Sequence, residues 1–196
     1  PNRSLLHDRL TQAIQRAHRN GKAVAVQFVD LDRFKLINDT LGHNIGDRVL
    51  IEAATRLRHC LRATDTVARL GGDEFVLIQE DVDHPDAVEQ VARKILDTFA
   101  ARFAAGTHSL FVSASIGLAL YPDDGLSPDE LLMRADLAMY RAKEGGRNSF
   151  RFFEAAMDAN AMRTLTLGVA IRGALENREF SLVYQPIIDT RTHRAV

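Results

Sequence analysis

Read for the spacing of its apolar side chains, the chain switches repeatedly between a helical and an extended period. Leu6, Leu10, Ile14 and Ala17 recur at helical spacing, and Gly21 stands where that helix should stop. Ala23 to Val29 is short, apolar and β-branched, and it follows Asn20-Gly21, so it reads as a buried central strand. Val49, Leu50, Ala53, Leu57 and Leu61 then fall on one face of a helix expected over Ile45 to Leu61. Two strand-like runs, Thr66 to Leu70 and Val76 to Ile78, flank a glycine turn. Val88, Val91, Ile95, Leu96 and Phe99 predict a helix over Asp86 to Phe103, and Leu110 to Leu120 predicts one long strand. Ser127-Pro128-Asp129-Glu130 opens a further helix, with Pro at its first position; Leu131 to Lys143 continues it and Gly145-Gly146 closes it. A short strand is expected near Phe150 to Phe153. Hairpin strands in succession, with helices between the others, imply an α+β architecture of helices on a mostly antiparallel sheet.

The candidate chemistry sits at two strand ends. Gly71-Gly72-Asp73-Glu74-Phe75 places two acids on a glycine turn, and a Gly pair is the expected centre of a two-residue hairpin turn. Without side chains there, a bulky ligand can approach the backbone closely. Asp30 stands where the first strand runs out, with Asp32 just beyond. A carboxylate at that end and another on a neighbouring hairpin can converge on one divalent cation, and Mg²⁺ typically takes one or two protein carboxylates plus substrate phosphate oxygens. Sites of that kind perform phosphoryl or nucleotidyl transfer. Taken singly, the same residues also fit an ordinary hairpin and a solvated strand end.

Composition narrows the partners. Lys and Arg total 25 against 26 Asp and Glu, so no bulk basic field exists and nucleic acid is not an expected partner. The single Cys60 falls among Leu57 and Leu61 and is expected to be buried and inert. No apolar run approaches the roughly 20 residues of a membrane helix, and the start lacks a signal-peptide pattern. A cytoplasmic domain is expected, with any membrane attachment supplied by preceding sequence.

Several separated motifs then occur in a set order. They are Asp30-Leu31-Asp32-Arg33-Phe34-Lys35-Leu36-Ile37-Asn38-Asp39, Leu41-Gly42-His43-Asn44-Ile45-Gly46-Asp47, the glycine turn, Ser115-Ile116-Gly117, and Ala135-Asp136-Leu137-Ala138-Met139-Tyr140-Arg141-Ala142-Lys143 followed by Gly145-Gly146-Arg147-Asn148. From Pro1 to about Phe153 the chain resembles a GGDEF domain, the diguanylate cyclase family. The resemblance implies the palm-like fold of nucleotidyl cyclases and the condensation of two GTP into cyclic di-GMP with release of pyrophosphate. It implies Mg²⁺ or Mn²⁺ held by Asp30, Asp73, Glu74 and the Leu31 carbonyl. Asp73 and Glu74 become the catalytic acids; whether Glu74 is the general base, or no dedicated base is needed, stays open. Asn38 and Asp47 match the guanine readers: an amide can serve the O6/N3 edge while a carboxylate accepts from N1–H and N2–H₂, a pairing that disfavours adenine. Lys143 and Arg147, one helical turn apart, match the groups on the β and γ phosphates, with the backbone around Phe34 and Lys35 and the bare Gly71 and Gly72 completing the cradle. Outside the motif, Asn38 and Asp47 would read as loop or helix-capping residues, and Lys143 and Arg147 as helix-dipole partners.

The same resemblance makes Arg62-Ala63-Thr64-Asp65 an RxxD site for feedback by the product, with Arg93 as an additional arm; on its own the pattern reads as a surface ion pair. Because one domain offers one guanine pocket and the product needs two GTP, catalysis implies a homodimer. Pro1-Asn2-Arg3 resembles the tail of the turn that opens this family's domain, so the first residues of that motif are expected to precede it, and an upstream sensor is expected in the full protein. Residues 1–155 are assigned to the GGDEF domain, 156–178 to a linker and helix, and 179–196, with Phe180-Ser181-Leu182-Val183-Tyr184-Gln185-Pro186-Ile187-Ile188-Asp189, to the start of an EAL domain, the cyclic di-GMP phosphodiesterase family. That segment ends before the Glu-x-Leu signature, so hydrolysis is not expected of it. The tandem arrangement supports a rival reading, a GTP-binding regulatory module of a phosphodiesterase with little cyclase activity.

Overall fold

The computed structural model describes residues 3–106 and 108–157, together with Ser181, Val183, Ile188, Thr190 and Arg191. The chain divides into two units, Pro1–Met157 and Asp158–Val196. The expected linker helix and EAL strand therefore lie, but for isolated residues, outside the described residues.

The first unit runs α1 (Arg3–Asn20), β1 (Ala23–Leu31), α2 (Phe34–Leu41), α3 (His43–Cys60), β2 (Thr66–Gly71), β3 (Glu74–Val82), α4 (Pro85–Ala100), β4 (Phe103–Ala105), β5 (His108–Leu110), β6 (Ala114–Tyr121), α5 (Pro128–Glu144) and β7 (Ser149–Phe152). Five strands form one sheet in the order β2-β3-β1-β6-β7. β1 is central and antiparallel to both β3 and β6, and only the β6–β7 pair is parallel. This is the expected α+β architecture, a mostly antiparallel sheet flanked by helices.

The two-residue period of β1 divides the core. Val24, Val26 and Phe28 pack with Leu6, Leu10 and Leu131 of α1 and α5, whereas Ala25, Val29 and Leu31 pack with residues such as Val49 and Ile95 of α3 and α4. Both faces are covered, which is why Ala23–Leu31 reads as almost continuously apolar. α5 lies against β6 so closely that a Cβ on Gly117 would stand 1.9 Å from the Ala135 carbonyl oxygen. Ser127 and Glu130 form a reciprocal capping box at its start.

Three elements depart from the expected pattern. Phe34–Leu41 is a helix, although only Phe34 is buried; it is entered through Arg33 in the left-handed region and has no side-chain cap, so it lacks both sequence signals of a helix. The predicted strand Leu110–Leu120 is two strands, β5 and β6, separated by residues 111–113. The helix expected to reach Phe103 ends at Ala100, because Arg56 of α3 donates to the carbonyls of Thr98 and Ala101 at 2.8 and 2.7 Å and Phe103 turns into β4. That stop signal lies more than forty residues away in sequence.

Candidate active site

Asp30 follows Val24, Val26 and Phe28 on the α1/α5 face of β1 and is only 6 % exposed. Its neighbour across β3 is Glu74 and its neighbour across β6 is Ser115. Register thus carries an acid of the glycine turn to the end of the central strand. The turn itself is centred one residue later than expected: Gly71 pairs with Glu74, leaving Gly72 and Asp73 at the tip, with Gly72 at φ 50°. Leu70 is the extra residue of a bulge between the Arg69–Phe75 and Gly71–Glu74 pairs. Arg69 donates to the Gly72 carbonyl at 2.9 and 2.7 Å, and the Leu31 N–H donates to the Asp73 carbonyl at 3.3 Å, tying the tip to the end of β1.

Lys143, in the last turn of α5, places Nζ 2.6 Å from Asp30 Oδ2. Burial pushes the Asp30 carboxyl up to about 6; Lys143 opposes this, and the Asp73 and Asp32 charges add to it. Glu74 is pushed up by burial first, then by the charges of Asp136 and Asp73. Asp136 is pushed up by its own burial, with Lys143 opposing. Asp136 belongs to the site's electrostatics yet was not singled out from sequence; its signal is the seven-residue spacing to Lys143, two turns along one face of α5.

Among the described residues no three acidic, His or Cys side chains form a ready-made metal cage. Mg²⁺ does not need one, since it usually takes one or two carboxylates and keeps water or phosphate in its remaining positions. Asp30, Asp73 and Glu74 suit such an ion: they are oxygen donors whose mutual repulsion is countered here by the Lys143 ammonium group and, at Glu74, also by Arg3.

Asn38 and Asp47 lie on adjoining helices joined at Gly42, neither in a loop nor at a cap position. Asn38 Oδ1 is buried without a hydrogen-bond partner, and a Cβ on Gly46 would come within 1.9 Å of it. Asp47 is exposed on α3. Phe34 packs into the core at the first position of α2, so its side chain is structural, while Lys35 is exposed. Arg147 departs from the expected geometry. α5 ends at Glu144, so Arg147 lies beyond the helix, at φ 66°, with Nε 4.0 Å from Asp32 Oδ1. Asp30 and Asp32, read singly as solvated, are both buried.

Asp65 closes the Arg62–Asp65 turn by accepting from the Arg62 N–H at 3.0 Å, and its other oxygen accepts from the Glu80 N–H at 3.4 Å. Beside it lies a cleft of about 310 Å³ lined by Arg9, Arg58, Arg62 and Asp65 among others. Arg93 does not line that cleft; it pairs with Glu89 at 2.6 Å and lies over the Phe150 ring. Cys60 is buried, as expected. No helix among the described residues is long and apolar enough to cross a membrane.

Comparison with known proteins bears on the family and the fold. Residues 1–149 match the family model of the diguanylate cyclase GGDEF domain. The chain is 51 % identical over 186 residues to MucR of Pseudomonas aeruginosa, a bifunctional diguanylate cyclase/cyclic di-GMP phosphodiesterase; the match covers 95 % of this chain and 27 % of MucR. Its fold is similar to the crystal structure of the GGDEF domain of TpbB from the same organism, with TM-score 0.77, 41 % identity, and coverage of 79 % of this chain and 96 % of that one. It also resembles the GGDEF domain of DgcB from Caulobacter crescentus in complex with cyclic di-GMP, with TM-score 0.71, 27 % identity, and coverage of 79 % and 89 %. The chain spans about a quarter of the length of the first curated relatives it matches. With the acids of its glycine turn set against the end of the central strand, the chain belongs to the GGDEF family of diguanylate cyclases.

Proposed function

We propose that this chain joins two molecules of GTP into cyclic di-GMP across a homodimer. The observation that carries the reading is the pairing of Asp30 with Glu74 across β1 and β3, beside Asp73 and under the Lys143 ammonium. Asp30, Asp73 and the Leu31 carbonyl would hold Mg²⁺ or Mn²⁺, with Glu74 as a further ligand or as the acceptor of the 3′-hydroxyl proton. When bound, the ion supplies charge stabilisation at the α-phosphate and acidifies the attacking hydroxyl. Lys143, freed from countering Asp30, turns its charge to the β and γ phosphates, where Arg147 adds a planar fork. Asn38 serves the guanine O6/N3 edge through its amide, and Asp47 accepts from N1–H and N2–H₂, a pairing that disfavours adenine. Gly71 and Gly72 leave room for the partner's nucleotide, so that each 3′-hydroxyl can face the other's α-phosphate.

The product would return to the cleft beside Arg62 and Asp65, whose turn is held in shape by main-chain donors. Arg93 would reach that ligand only after leaving Glu89. The match to MucR extends beyond residue 149, which favours a tandem in which an EAL domain follows; this context also supports the second reading, a GTP-binding module governing the phosphodiesterase half. GTP as substrate places the domain in the cytoplasm. Asp73→Asn, half-buried at the turn tip, tests the chemistry: synthesis should vanish while thermal unfolding stays within about 2 °C of wild type. Wild-type turnover by this variant would overturn the assignment.

A further inference from the structure

Asp32 lies two residues past Asp30, and the mechanism above leaves it without a task. Its side chain is 2 % exposed. Both oxygens are engaged: Ser115 Oγ donates to Oδ1 at 2.7 Å, while Ser113 Oγ and the Asn148 N–H donate to Oδ2 at 2.7 and 3.1 Å. A carboxylate is an acceptor-only group, and burying its charge is costly unless donors and a counter-charge surround it. Here the counter-charge is Arg147, with Nε 4.0 Å from Oδ1.

The loop that Asp32 grips is strained. Arg147 and Asn148 sit at φ 66° and 45°, and a non-glycine residue in the left-handed region costs about 1 kcal/mol, so it persists only where its surroundings fix it. Two hydrogen bonds do so: Arg147 N–H to the Ala142 carbonyl at 3.1 Å, and Asn148 N–H to Asp32. The main chain is thus clamped on both sides of Arg147, yet the guanidinium side chain remains 47 % exposed. It borders a cleft of about 340 Å³ shared with Arg33, Leu36 and Phe111.

We infer that Asp32 is the positioning residue of the phosphate subsite, fixing the Arg147 guanidinium at this cleft for the terminal phosphates of a nucleoside triphosphate. The inference rests on the GTP reading above. Asp32 touches no substrate; it acts through the loop it holds, and Ser113 and Ser115 hold its carboxylate in turn.

Calorimetric titration with α,β-methylene-GTP, which cannot react at the scissile bond, and with GMP, which lacks the terminal phosphates, separates this role from general damage. Asp32→Asn should weaken the triphosphate about tenfold and leave GMP within about twofold. Arg147→Ala should do the same, and adding Asp32→Asn to it should cost less than about a further twofold, since both changes remove one interaction. Equal losses for both nucleotides, or losses that multiply toward a hundredfold, would overturn the inference. Ser113→Ala keeps the carboxylate and removes one donor, so it carries the test if Asp32→Asn does not fold: a loss of about threefold confined to the triphosphate supports the role, and an unchanged affinity refutes it. A wild-type chain that bound neither nucleotide would overturn the GTP reading itself, a result separate from any behaviour of the variants.

Discussion

Replacing Asp30 by Asn should remove activity and at the same time stabilise the metal-free protein. The carboxyl is buried at 6 % exposure, and its folded value of about 6 lies above the ordinary 3.8 even with Lys143 at 2.6 Å. At about 1.4 kcal/mol per pH unit, that interval means an ionised Asp30 costs the folded state about 3 kcal/mol at neutral pH. The sign follows from proton uptake. Between pH 3.8 and about 6 the folded state holds the proton more tightly, so this group's contribution is fully present in acid and is lost as pH rises through 6. Asn carries no charge to desolvate, and the value of about 6 already includes the ion pair to Lys143, so the expected net gain at pH 7.5 is about 3 kcal/mol, a rise in Tm of roughly 6–12 °C. At pH 4.5 wild-type Asp30 is mostly protonated, and the variant's advantage should shrink by about 2 kcal/mol. Urea unfolding in EDTA at the two pH values measures this directly. A variant less stable at pH 7.5, or a difference that does not change with pH, would refute the account of Asp30 as a buried acid that its ligands, rather than the fold, stabilise.

The remaining predictions follow from contacts elsewhere in the domain. Gly117→Ala would drive a Cβ to 1.9 and 2.1 Å from the Ala135 carbonyl oxygen and the Met139 nitrogen, both backbone, and should cost about 3 kcal/mol by chemical denaturation. Gly46→Ala meets the Asn38 side chain at 1.9 Å and the Phe34 ring at 3.2 Å, both side chains, and improves helix propensity by about 1 kcal/mol, so stability should change by less than about 1 kcal/mol while selectivity for GTP over ATP falls about tenfold in binding assays. Ser127→Ala removes one half of the α5 capping box and should cost about 1 kcal/mol, read as a lowered urea midpoint with unchanged slope. Arg62→Ala should relieve inhibition by added cyclic di-GMP without lowering the initial rate.

Much of this was legible in the apolar pattern because local period and burial agree. The helices α1, α3, α4 and α5 each present an apolar stripe to the sheet, and β1 is buried on both faces, so spacing alone locates them. α2 was not legible, because one buried residue and an uncapped, left-handed entry leave no stripe and no start signal. The break between β5 and β6 was hidden by the apolar Phe111 and Val112, and the end of α4 by Arg56, a terminator supplied from another helix. In the site, the motifs named Asp30, Asp73 and Lys143, but their spacing cannot tell a buried acid from a solvated one. The burial of Asp32 and the placement of Arg147 outside α5 both depend on Ser113, Ser115 and Asn148, which come together only through the β1–β6 register and the loop after α5.

The central claim is synthesis by paired domains, and the most direct test is incubation of the chain with GTP and Mg²⁺ over a range of protein concentrations, with the nucleotides resolved by chromatography. The account predicts cyclic di-GMP at a rate rising more steeply than linearly with protein, because two domains must meet for each turnover. Saturable GTP binding with no cyclic di-GMP at any concentration, including with the chain fused to a dimerising segment, would contradict it and leave the nucleotide-sensing reading in its place.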